Sequence, residues 1–101
     1  RGWGQRMTNF ERYMRHNHTG RLNAVPSKEL EAVFGICGAE LRATVNKLRR
    51  EGVAICSCLR GYYYAANKKD IEDTLNHLER RAKSILDAKD GMTACLKRYP
   101  N

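Results

Sequence analysis

The sequence predicts a mainly α-helical domain with one small β-hairpin and a long C-terminal helix. Three observations predict it. The stretch 27–50 carries two apolar helical periods separated by a turn that holds Gly35 and Gly38. Residues 53–57 and 61–65 are rich in β-formers and flank Cys58-Leu59-Arg60, as the arms of a hairpin do. Beyond Asn67, the residues Ile71, Leu75, Leu78, Ala82 and Ile85 recur in alternating steps of four and three. In residue terms this is a helix-turn-helix followed by a wing and a closing helix.

The elements are justified in order. Thr8 and Glu11 have the spacing of a capping box, so the first helix is expected from Thr8 to about Asn17, with Phe10, Met14 and Tyr13 on one side. His18-Thr19-Gly20 ends it. After Pro26, Ser27 is placed to cap a two-turn helix, SKELEAVF, whose Leu30, Val33 and Phe34 face inward. Gly35-Ile36-Cys37-Gly38 turns the chain into a third helix, from about Ala39 to Arg50, which Gly52 stops. In the tyrosine run, Tyr62 and Tyr64 share one strand face and Tyr63 takes the other; core and edge packing suits them better than stacking on bases.

Asn67 and Asp70 open the last helix, expected from about residue 68 over about 20 residues, or about 30 Å. Its stripe has two readings that stay open here. The helix docks on the first helix and closes the core, or its distal half, 82–89, pairs with a second copy. Residues 1–7 read as a disordered or trimmed start, 8–90 as the domain and 91–101 as a tail.

Composition bounds the function. At 101 residues the chain holds one domain with a modest core. Its 19 Lys+Arg against 11 Asp+Glu give a net charge of +8, which favours polyanions, nucleic acid first. No stretch reaches the roughly 18 apolar residues of a membrane span. The four cysteines lack zinc-site spacing and read as reduced thiols; Cys56 and Cys58, two apart in a strand, cannot form a relaxed bridge with each other. No cofactor or metal is expected. With no phosphate loop, no paired carboxylates and no base beside a nucleophile, the expectation is that the chain is not an enzyme.

The chemistry concentrates on the third helix. At 100° per residue, Leu41, Val45 and Leu48 cluster within about one third of the circumference and face the core. The other side holds Ala39, Arg42, Ala43, Asn46, Lys47 and Arg50. Arg42 and Asn46 suit base edges, since Arg forms two hydrogen bonds to guanine and Asn to adenine. Lys47, Arg49 and Arg50, near the helix end, suit phosphates. Arg60, at the tip of the wing (56–61), is placed for a phosphate or minor-groove contact. Five arginines in the first 21 residues (Arg1, Arg6, Arg12, Arg15 and Arg21) are candidates for one further phosphate contact. The cluster Arg80-Arg81-Lys83, matched by Glu79, Asp87 and Asp90, reads as a solvated face.

The segments Gly35–Arg42, Val45–Val53 and Arg60–Ala65 carry a resemblance. Through them the chain resembles the small winged-helix proteins of bacteriophages and prophages and, more distantly, the DNA-binding domain of the biotin repressor. The resemblance covers about Thr8 to Ala82. It implies that the second helix of the motif enters the major groove with the wing beside it, and that Ala39, Arg42, Ala43, Asn46 and Arg50 face bases or phosphates. Such relatives usually start that helix with Ser or Thr; here Cys37 stands there, and a cap weaker by ~1 kcal/mol is expected.

The function expected is sequence-dependent binding of double-stranded DNA, as a phage or prophage transcriptional regulator or replication accessory in the bacterial cytoplasm. A homodimer through the C-terminal helix is a possible state. The alternative is a winged-helix protein-interaction module with weak or no specific DNA binding.

Overall fold

The computed structural model describes residues 2–100, with side chains over 9–100. Its order is α1 (Gly2–Asn17), a single 3-10 turn (Arg21–Asn23), α2 (Ser27–Phe34), α3 (Gly38–Arg50), β1 (Ile55–Cys58), β2 (Gly61–Tyr64) and α4 (Lys68–Leu96). The chain is thus mainly helical, with one antiparallel hairpin.

The hairpin pairs Ile55 with Tyr64, Cys56 with Tyr63, Ser57 with Tyr62 and Cys58 with Gly61, which leaves Leu59-Arg60 as a two-residue turn. Strand periodicity divides its side chains between two layers. Ile55, Tyr62 and Tyr64 turn to the core formed with Phe10 and Met14 of α1, Leu30 of α2 and Leu41, Val45 and Leu48 of α3. Cys56 and Tyr63, both buried, face the other way, toward α4. There Thr74, the one fully buried residue of α4, receives a hydrogen bond from the Ser57 N–H at 3.4 Å.

Two further ties hold β2 to the chain between α1 and α2. Val25 and Tyr62 exchange both backbone hydrogen bonds, at 2.8 and 2.9 Å, and Thr19 bridges Tyr64. Arg15 of α1 stacks over the Tyr64 ring at 5.4 Å and pairs with Glu11 at 3.3 Å.

Several local expectations are corrected. Helix α1 begins at Gly2, so Thr8 stands inside it and not at its start. Contacts expected from Arg1 and Arg6 lie outside the described residues. Ser27 is the first residue of α2 rather than its cap; Pro26 holds the cap position without a side-chain bond. Val33 is 50% exposed, because the two-turn helix buries only Leu30 fully and half-buries Phe34. Phe34 packs against Phe10 and Tyr13 at ring distances of 5.2 and 5.3 Å.

The longest departure is α4. It runs 29 residues to Leu96, about 43 Å, where about 20 residues were expected. Cys95, expected in a tail, is helical. The helix packs on β1 and not on α1, and residues 81–94 are exposed throughout.

Candidate nucleic-acid interface

Helix α3 starts from a glycine stop and a cap. Gly35 ends α2 in the left-handed region at φ 62°, which any Cβ would resist. Cys37 then caps α3: Glu40 returns its carboxylate to the Cys37 N–H, donor to acceptor 3.0 Å. Glu40 also places a negative charge at the positive end of the helix dipole. At the far end, Gly52 at φ 85° turns the chain out toward β1.

Between these stops α3 is divided cleanly. Leu41, Thr44, Val45 and Leu48 are buried. Thr44 was not expected inside; its hydroxyl donates to the Glu40 carbonyl at 2.9 Å, so burial leaves no orphan. Ala39, Arg42, Ala43, Asn46 and Arg50 are exposed. Lys47 is half-buried and pairs with Glu51 at 3.3 Å. The Arg42 guanidinium lies beside Gly38, where the Glu31 carboxylate also comes.

Arg49 departs from its expected role. Its Nε–H donates to the Ile55 carbonyl at 2.8 Å and its Nη2 to Ser57 Oγ at 3.2 Å. The guanidinium therefore fastens β1 to α3 instead of pointing outward. Burial lowers its pKa from the ordinary value, opposed by the Tyr62 phenol. Arg60 stands at the exposed hairpin tip, with Nη1 3.5 Å from the Leu22 carbonyl.

Two grooves flank α4. In one, Arg42, Asn46 and Arg49 of α3 meet Leu78, Arg81 and Ile85 of α4 across Tyr62. In the other, Arg21 lies with His77, Arg80 and Asp73 beside Cys58 and Leu59. Arg80 and Arg81 thus serve opposite sides of the helix, whereas Lys83 keeps to solvent and pairs with Asp87 at 3.1 Å. The place of Arg81 was missed in the sequence, although it lies next to the apolar stripe in helical projection, and that was the available signal.

Among the described residues no group of three His, Cys, Asp or Glu side chains could hold a metal ion. No helix among the described residues is long and apolar enough to cross a membrane. The four cysteines are free thiols. Burial raises the Cys56 thiol pKa, with the Thr74 hydrogen bond opposing it. Compared with family models, curated proteins and solved structures, the chain finds no match.

Proposed function

We propose that the chain is a winged helix-turn-helix protein that binds duplex DNA in a sequence-dependent way. Helix α3 enters the major groove and the β1–β2 hairpin serves as the wing. One observation carries this reading: beyond the capping Glu40, the exposed residues of α3 combine two small side chains, Ala39 and Ala43, with Arg42, Asn46 and Arg50, on a helix whose other side is locked into the core. Alanines at 39 and 43 allow close approach, and Arg42 and Asn46 have the donor geometry for guanine and adenine edges. Arg50, Lys47 and Arg60 then hold phosphates around them, and the net charge of +8 draws the chain to DNA. The hydrogen bonds of Arg49 to Ile55 and Ser57 support the wing, since they fasten β1 to α3, and the Val25–Tyr62 pair ties the tip end of the hairpin to the segment before α2.

The reading extends to a phage or prophage regulator or replication accessory acting in the bacterial cytoplasm. The second reading, a protein-interaction module, is favoured by the exposed apolar stripe of α4.

The deciding experiment is fluorescence anisotropy on random duplexes from low to physiological salt, with sequencing of the retained pool. An enriched motif, weakened about 100-fold or more in an Arg42→Ala/Asn46→Ala variant, is expected from two base contacts. Binding that disappears at physiological salt with no motif overturns the reading in favour of general charge attraction.

A further inference from the structure

We propose that two copies of this chain pair antiparallel through α4. The inference does not rest on DNA binding.

Along α4, Ile71, Leu75, Leu78, Ala82, Ile85, Met92 and Leu96 keep alternating steps of four and three, with Lys89 the only charged residue in the series. Extension of the helix to Leu96 lengthens the stripe well past the hairpin. The stripe is left in water: exposure is 41% at Ile71, 64% at Ile85 and 69% at Leu96. An apolar repeat of mean spacing 3.5 residues is the seam of a coiled coil and demands a second helix. The ion pairs Lys69–Asp73 and Lys83–Asp87 lie off this seam, so the charges of the helix keep the stripe clear.

Lys89 and Ala82 choose the occupant and its direction. In a parallel pair, like layers meet: Lys89 faces Lys89 of the partner subunit with Ala88 and Met92 as neighbours and no acid in reach. Ala82 would meet Ala82 of the partner subunit and leave a hollow. In an antiparallel pair with full overlap, Ile71 meets Leu96 of the partner subunit and Leu75 meets Met92 of the partner subunit. Ala82 then meets Ile85 of the partner subunit, small against large, as close packing needs. Lys89 lies over Leu78 of the partner subunit, beside Glu79 of the partner subunit. Neither Lys89 nor Glu79 forms an ion pair within its own chain among the described residues. The two-fold symmetry makes both pairs at once. A single polar residue in a seam sets register and direction in this way.

The test is sedimentation equilibrium from low to high micromolar chain. The full chain is expected at twice its 11.6 kDa mass. An Ile85→Lys/Met92→Lys variant, altered only at exposed positions, is expected at monomer mass with unchanged circular dichroism. Lys89→Glu should weaken the dimer about ten-fold, and adding Glu79→Lys should restore it. Monomer mass for the unaltered chain throughout overturns the proposal and leaves the stripe to another protein or a lipid surface. A dimer that survives the Ile85/Met92 changes overturns the surface. Loss at Lys89→Glu that Glu79→Lys does not recover overturns the direction.

Discussion

Gly61 lies against the backbone of Val25 so closely that a Cβ there would overlap the Val25 carbonyl and come within 2.9 Å of the Pro26 Cα. Its φ of 135° is also outside the range that L side chains adopt readily. The same contact carries the paired hydrogen bonds between Val25 and Tyr62. One glycine thus lets the hairpin tip turn and lets its second strand meet the segment before α2.

Gly61→Ala should therefore destabilise the chain by about 3 kcal/mol, since strained backbone and a backbone clash act together. Gly91→Ala provides the contrast: Gly91 is inside α4 with nothing within 4 Å of a Cβ, and should stabilise by about 0.5–1 kcal/mol. Urea unfolding of both variants checks the opposite signs.

Arg49→Leu should cost about 2 kcal/mol of stability, because two hydrogen bonds from a charged group to β1 are lost and their acceptors are left half-buried. Arg42→Ala should change stability by less than about 0.5 kcal/mol. Thermal melting of the two variants separates a fastening arginine from a reading one.

Arg50→Ala should lower affinity for all duplexes alike and reduce the salt slope of binding by about 1, as the loss of one phosphate contact does. The slope is measured by titrating one duplex at several salt concentrations. A change in sequence preference would instead place Arg50 on a base.

Burial raises the pKa of both the Cys56 thiol and the Tyr63 phenol. The folded state then holds these protons more tightly than the unfolded one. The associated stability is fully present below the unfolded pKa values, about 8.5 and 10, and is lost as pH rises through the folded ones. Urea unfolding at pH 7 and pH 10 should show a loss at the higher pH, and a smaller loss in Cys56→Ala.

The elements closest to their expected bounds are those with strong stops. Pro26 and Gly35 bracket α2, Cys37 and Gly52 bracket α3, and β2 falls within the run read for it, whereas β1 starts at Ile55 and takes in Cys58, which was read as part of the turn. The α3 core residues Leu41, Val45 and Leu48 were legible from periodicity alone. The end of α4 was not, because Gly91 is tolerated inside the helix and Pro100 lies beyond it. Arg49 was misplaced for a different reason. Helical projection assigns a side chain to a face but does not know that the next strand returns across that face. The carbonyl of Ile55 becomes a partner only once the chain has folded back. For the same reason the meeting of Arg81 with Arg42 and Asn46 was invisible, since it depends on where α4 crosses the domain.

That crossing has a thermodynamic consequence. Arg42 and Asn46 share a cleft with Leu78 and Ile85, so the side chains offered to DNA and those offered to a second helix border the same space. Two ligands that meet across one cleft influence each other, and the influence is reciprocal by linkage. If DNA favours the paired chain by some factor, pairing favours DNA by that same factor. Occupancy of a DNA site would then rise more steeply than the first power of chain concentration, giving the chain a concentration threshold.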